Sequence, residues 1–125
     1  MTLKSKILIV DDNKHLCSNM KDILEFKGYS VSCVYAGLEA VKAVKEDAFT
    51  VVLMDIKMPG MNGIDTLKTL KQIAPELIVI FITALTDDTL YEEGIKSGAC
   101  EIITKPFDID KFLGRLEEVI EKKSQ

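Results

Sequence analysis

Charged side chains follow two apolar runs of this sequence, each at the point where the run ends. Ile7–Val10 is followed by Asp11 and Asp12, and Val51–Met54 is followed by Asp55. Open α/β sheets form their ligand sites outside the carboxyl ends of their strands. Three carboxylates brought together at such an edge repel one another unless a cation lies between them. The sequence therefore predicts a cation site, and hard oxygen ligands of this kind suit Mg²⁺.

Two further runs place a hydroxyl and an amine in equivalent positions. Thr83 comes at the end of Ile78–Ile82, and Lys105 follows Glu101–Thr104. A metal ion, a fixed positive charge and a hydroxyl around a carboxylate form a site for phosphoryl transfer, because that reaction needs chiefly positioning and charge neutralisation. An aspartate can itself carry the phosphoryl group as an acyl phosphate.

The hydrophobic pattern indicates the elements that must position these side chains. Short apolar runs predict strands at Ile7–Val10, Val31–Val34, Val51–Met54, Ile78–Ile82 and Glu101–Thr104. Helical periodicity fills the intervals between them, so strand and helix alternate along the chain. Such alternation is typical of βαβ units and of a parallel sheet.

Each interval, and the segment after the last strand, predicts one helix. The first begins at Asn13 as N-cap and stops near Gly28, the second follows Gly37, and the third follows Gly63 and ends before Pro75. The side chains expected to face the core are Leu16, Met20, Ile23 and Leu24 in the first, Leu38, Val41 and Val44 in the second, and Ile64, Leu67 and Leu70 in the third.

The last two helices differ in how clearly their apolar residues predict them. The fourth, about Asp87 to Lys96, has only a thin apolar stripe and is weakened by Gly94. The fifth spans about Ile109 to Ile120, with Leu113, Leu116 and Ile120 on one face.

Right-handed crossovers leave few arrangements for five parallel strands. We expect a flavodoxin-like, doubly wound five-stranded sheet in the order 2-1-3-4-5, with five helices. The direction of winding then reverses between strands 1 and 3. Asp11, Asp12 and Asp55 are predicted to converge at that switch point.

The bulk composition fits one domain with an ordinary core. The 125 residues, 47% hydrophobic and 29% charged, predict a single domain over 1–125 with an ordered core over about 5–121 and a short polar C-terminal tail. A net charge of −4 argues against direct binding to nucleic acid.

No apolar stretch approaches the roughly 20 residues that span a bilayer, and no signal peptide precedes the first strand, so we expect a cytoplasmic protein with no membrane partner. The three cysteines are widely spaced and indicate neither a disulfide framework nor a zinc site.

Four motifs make the sequence similar to a known family. They are Ile7–Asn13, Met54–Gly63, Phe81–Ala84 and the stretch from Gly98 to Phe107. In this order and at strand ends, they resemble the receiver domain of two-component response regulators over essentially the whole length. Chemotaxis receivers have the strand order 2-1-3-4-5, so the resemblance implies the same fold.

The resemblance also implies a role for each acidic residue. Asp55 matches the phosphoacceptor. Asp11 and Asp12 match the pair that holds Mg²⁺, with Asp55 and the backbone carbonyl of Lys57 as further ligands.

The remaining roles concern the other side of the site and the partners. Thr83 matches the hydroxyl that turns toward the phosphoryl group, and Lys105 matches the lysine that pairs with it, before a cis bond to Pro106. The implied partner is a sensor histidine kinase or a histidine phosphotransfer protein. The fourth helix, fifth strand and fifth helix form the surface that such domains use for homodimers or for partner docking.

One position departs from the family. Receivers often carry an aromatic residue three positions before the lysine, where this chain has Ile102. The resemblance therefore does not carry the family's threonine–aromatic switch to this chain.

Three other functions use parts of the same pattern. A degenerate receiver would serve only as a docking module, although all five site residues are present. A Mg²⁺-dependent aspartyl phosphatase of the haloacid dehalogenase type needs Asp-x-Asp after the first strand, where this chain has Asp11-Asp12-Asn13. A flavin-binding carrier needs a phosphate loop there, and the two aspartates would repel the phosphate.

Overall fold

The computed structural model describes residues 5–56, 62–84 and 88–124. Strands and helices alternate along these segments. The strands are β1 (Lys6–Val10), β2 (Ser30–Val34), β3 (Val51–Met54), β4 (Ile78–Thr83) and β5 (Glu101–Thr104). The helices are α1 (Lys14–Phe26), α2 (Gly37–Glu46), α3 (Gly63–Ile73), α4 (Asp88–Lys96) and α5 (Ile109–Ser124).

Within the described segments the strands form one parallel five-stranded sheet in the order β2-β1-β3-β4-β5. This confirms the predicted doubly wound, flavodoxin-like topology. The chain moves outward from β1 to β2 and then returns to the other side of β1 with β3, so the switch point lies between the ends of β1 and β3.

Alternate residues of each strand face opposite sides of the sheet and enter two separate cores. On one side, Ile7 and Ile9 of β1 pack with α1 and α5. On the other, Leu8 and Val10 pack with α2 and α3. Because both faces are covered, β1, β3 and β4 are apolar at nearly every position, as central strands of a parallel sheet must be.

The predicted ends of α1 are confirmed in detail. Asn13 has extended backbone geometry, and its side-chain oxygen accepts the N–H of Leu16 at 3.1 Å. Gly28 lies two residues after Phe26 with a φ of 100°, a conformation that glycine adopts without steric cost. These two residues fix where the chain leaves β1 and where it returns to β2.

Two helices differ from their prediction. Leu38 was expected in the core but is 73% exposed, whereas the predicted Val44 is buried and Ala40 is buried beside it. Helix α5 continues through 121–124, where a polar tail was expected. Its buried side chains are Phe112, Leu116 and Val119, while Leu113 and Ile120 are only partly buried.

No helix in the described part of the chain is long and apolar enough to span a membrane.

Candidate functional site

Asp11 and Asp55 directly follow two neighbouring strands of the sheet. β1 and β3 are hydrogen-bonded neighbours with Val10 opposite Met54. The backbone N–H of Asp55 donates to the carbonyl of Val10 at 3.1 Å, and that of Asp11 donates to the carbonyl of Val34 at 3.2 Å. These bonds extend the ladder beyond the strand ends and fix the backbone from which both carboxylates project.

Asp11, Asp12 and Asp55 form an acidic cluster at the switch point. One carboxylate oxygen from each lies within 4.8 Å of the others. Asp11 is only 3% exposed, Asp55 is half-buried and Asp12 is exposed, so the cluster is open to solvent at Asp12. The predicted convergence of the three carboxylates is confirmed.

The ammonium of Lys105 faces this cluster. Its Nζ lies 3.2 Å from Oδ2 of Asp11 and 3.5 Å from Oδ2 of Asp55. The three side chains are largely shielded from solvent, which strengthens the attraction relative to a surface pair. One positive charge against three carboxylates leaves the cluster with a net negative charge, which favours a bound cation.

Thr83 and Lys105 are held together at the ends of β4 and β5. The backbone N–H of Lys105 donates to the carbonyl of Thr83 at 2.8 Å. Thr83 is the last residue of β4, is 2% exposed, and lies opposite Thr104 in β5. The peptide bond between Lys105 and Pro106 is cis, as the resemblance implied.

Two contacts that the sequence did not reveal hold Asp11. Its Oδ1 accepts the backbone N–H of Asn13 at 2.9 Å, which leaves Oδ2 toward Lys105. The thiol of Cys17 donates to the backbone carbonyl of Asp11 at 3.3 Å. Burial raises the pKa of the Cys17 thiol to about 12, with the charges of Cys33 and Asp11 adding to the effect, so it remains a protonated donor at neutral pH. The spacing of the cysteines gave no signal for this contact, because it depends on how α1 packs beside β1.

Five of the six predicted site residues lie in the described part of the chain. Lys57, whose backbone carbonyl was predicted as a metal ligand, lies outside the described residues. Asp11, Asp12, Asp55, Thr83 and Lys105 all lie at the carboxyl-terminal edge of the sheet. His15, which follows the acidic pair, is exposed in the first turn of α1.

The acidic cluster fits a small hard cation. An octahedral Mg²⁺ has ligands at about 2.0–2.1 Å, so opposite ligands are about 4.2 Å apart. Carboxylate oxygens within 4.8 Å of one another match this spacing when at least one of them binds through water. The donor set is entirely oxygen, which is the type that Mg²⁺ prefers.

The fold and this site are those of a known class. The sequence profile of the response regulator receiver domain matches residues 7–117. This chain therefore belongs to the response regulator receiver domain family of two-component signalling systems.

Individual relatives agree with the assignment. The chain is 37% identical over 119 residues to the transcriptional regulatory protein ZraR of Salmonella typhimurium, a match that covers 95% of this chain and 26% of ZraR. A CheY-like receiver domain protein from Methanospirillum hungatei superposes with a TM-score of 0.94 at 29% identity, over 98% of each chain. The beryllofluoride-activated NtrC4 receiver domain dimer superposes with a TM-score of 0.88 at 32% identity, over 94% of this chain and 98% of that one. The chain spans about a quarter to a half of the length of the curated regulators that it matches.

Proposed function

We propose that Asp55 is the phosphoacceptor of this receiver domain. The observation that carries the proposal is the placement of Lys105 against Asp55 and Asp11 at the centre of the acidic cluster. The donor is a phosphohistidine on a sensor histidine kinase or on a histidine phosphotransfer protein. The chain catalyses only its own phosphorylation and dephosphorylation.

The reaction is a transfer of one phosphoryl group. A carboxylate oxygen of Asp55 forms a bond to phosphorus while the P–N bond of the donor breaks, and the imidazole keeps the electron pair and takes up a proton. In the later hydrolysis a water oxygen forms a bond to phosphorus and the bond to Asp55 breaks. The products are the free carboxylate, inorganic phosphate and the proton released by water.

The residues around Asp55 position the group and neutralise its charge. Lys105 lies where its ammonium can pair with a phosphoryl oxygen, and Thr83 contributes its hydroxyl from the neighbouring strand. Asp11, Asp12 and Asp55 would hold Mg²⁺ together with the backbone carbonyl of Lys57. When bound, Mg²⁺ supplies positive charge to the phosphoryl oxygens. The buried position of Asp11 and its bonds to Asn13 and Lys105 keep its carboxylate oriented without the metal.

The test is the mass of the intact protein after incubation with Mg²⁺ and phosphoramidate. We expect the unaltered chain to gain one phosphoryl group and Asp55→Ala to gain none. Asp110→Ala is the matched control, since Asp110 is an exposed acid in the first turn of α5, and it should be modified like the unaltered chain. An adduct that persists in Asp55→Ala contradicts the assignment, and an unaltered chain that never gains the group would favour a docking module that needs no phosphorylation.

We also propose that the phosphorylated chain forms a homodimer through α4, β5 and α5. On α4, Tyr91 is 52% exposed and Ile95 is 40% exposed. Arg115 of α5 donates to Glu101 of β5 at 2.6 Å, which adds a charged pair to the β5–α5 part of this surface. The NtrC4 receiver, which is similar to this chain over nearly its full length, forms a dimer when it is activated.

A further inference from the structure

The rim beside the acidic cluster carries an exposed apolar group that the fold does not use. Leu38 is the second residue of α2 and 73% exposed, and Tyr35, between β2 and α2, is 38% exposed. The Nζ of Lys14 lies 5.2 Å from the centre of the Tyr35 ring. We call Lys14, Tyr35 and Leu38 the β2–α2 rim.

This rim is adjacent to the carboxylates and is held by hydrogen bonds on both sides of the turn. The N–H of Asp11 bonds to the carbonyl of Val34, so Tyr35 follows the strand end next to Asp11. The N–H of Tyr35 donates to the carboxylate of Glu39 at 2.8 Å, which ties the turn to the first turn of α2. A partner would therefore meet a preformed surface and lose little free energy in ordering it.

Helix α1, which lies on the same side of the site, presents no comparably exposed apolar side chain near the carboxylates. Lys14, His15, Ser18 and Asn19 are the exposed residues of its first turns, and all are polar, while Leu16 is partly buried against the core. Phe26, which is 89% exposed, lies at the opposite end of α1. Among the described residues on the α1 side of the carboxylates, the β2–α2 rim is thus the surface that exposes most apolar area to a partner.

We propose that the β2–α2 rim is a docking surface for the protein that carries the phosphohistidine. This inference rests on the proposed function, because the occupant is defined by its reaction with Asp55. Asp55 is recessed, so a donor imidazole must reach in from a surface that covers the surrounding rim. The partner surface should place an apolar side chain on Leu38 and an acidic group near Lys14, because apolar anchors supply most of the affinity and opposite charges set the orientation.

The experiment compares a protein donor with a small donor. The protein donor is the autophosphorylated cytoplasmic part of the histidine kinase that transfers fastest to the unaltered chain, among those encoded in the same genome. The small donor is phosphoramidate, which needs no docking surface. Leu38→Ser is compared with Phe26→Ser, which also removes one exposed apolar side chain from a helix end but lies far from the site.

We expect Leu38→Ser to raise the KM for this chain in transfer from the kinase about tenfold, as expected for the loss of an interface anchor worth about 1.4 kcal/mol, with kcat unchanged. Labelling of Leu38→Ser by phosphoramidate, and both reactions of Phe26→Ser, should match the unaltered chain.

Equal kinase KM values for Leu38→Ser and the unaltered chain would overturn the inference. So would an equal loss with phosphoramidate, a change in self-association alone, or the failure of every kinase to transfer to a chain that phosphoramidate does label. Failure of phosphoramidate to label the unaltered chain would instead count against the proposed function.

Discussion

Lys105 balances only part of the charge of the three carboxylates that it faces. Its ammonium is within 3.5 Å of two of them, and Asp12 adds a third negative charge nearby. Like charges held together by the fold reduce stability unless a cation neutralises them. The site should therefore be less stable empty than with a divalent ion.

Mg²⁺ should stabilise the folded chain. At a concentration 100 times the dissociation constant, a ligand that binds only the folded state adds about 2.7 kcal/mol to the free energy of unfolding. Urea unfolding with and without Mg²⁺ measures the gain. Asp12→Asn should reduce it, whereas Asp22→Asn, which changes an exposed acid later in α1, should leave it intact. A gain unaffected by Asp12→Asn would place the ion elsewhere.

Replacement of Lys105 should slow the phosphorylation of Asp55. Lys105→Met removes the charge that faces Asp55, and loss of one positioned electrostatic group costs on the order of 100-fold in rate. The rate of mass gain with phosphoramidate measures this effect. Lys111→Met removes an exposed lysine of α5 and should react at the normal rate. Equal rates for both variants would show that Lys105 takes no part in the transfer.

At the scale of elements, α4 rests on the sheet through a glycine. Gly94 is its buried residue, and a Cβ at that position would lie 3.0 Å from Cδ1 of Ile102 and 3.4 Å from the ring of Phe81. Ile102 stands where receivers often have a mobile aromatic residue, and here it packs inward against α4 and β4. The position of α4 is thus coupled directly to β5.

Gly94→Ala and Gly114→Ala should have different effects on stability. Alanine in a helix interior is favoured over glycine by roughly 0.5–1 kcal/mol. Gly114→Ala should show this gain, because nothing lies within 4 Å of its added Cβ. In Gly94→Ala the contact with Ile102 should cancel the gain, and Ile102→Val, which removes Cδ1, should restore part of it. Urea unfolding of the single and double variants measures the coupling, and additive effects at Gly94 and Ile102 would contradict the contact.

At the scale of the whole molecule, the switch-point site lies between two exposed surfaces. The β2–α2 rim lies on one side, and the face formed by α4, β5 and α5 lies on the other. Since the backbone N–H of Lys105 donates to Thr83 at the end of β4, we expect a change in charge at Asp55 to reach β5, which supports the second face. Docking of the phosphohistidine protein and formation of the homodimer would then use opposite edges of one sheet.

Phosphorylation should shift the chain toward a dimer through the second face. Sedimentation velocity before and after treatment with phosphoramidate and Mg²⁺ measures the change. Ile95→Ser should reduce dimer formation, because it removes an apolar contact of α4 without altering the site. Leu38→Ser, on the opposite edge, should dimerise normally. A phosphorylated chain that remains monomeric at all concentrations would rule out this use of the face.

The features that the sequence predicted correctly are those that depend on the local residue pattern and on the order of the strands. The bounds of β3 and β5, the caps of α1 and the convergence of Asp11 with Asp55 follow from apolar runs, from Asn13 and Gly28, and from the rules for parallel sheets. Leu38 was misplaced because a helix of only ten residues offers few turns by which to determine its buried face. The contact between Cys17 and Asp11 depends on tertiary packing, which periodicity does not encode.

The chemistry of the three cysteines has a practical consequence. Burial raises the pKa of Cys17 and of Cys33, and both thiols donate to backbone carbonyls, so neither is a ready nucleophile. Cys100 is exposed in the short connection between α4 and β5. A maleimide dye added to the unaltered protein should therefore attach selectively beside the α4–β5–α5 face. In a chain without tryptophan, this provides a fluorescent reporter of α4 movement that requires no engineered cysteine.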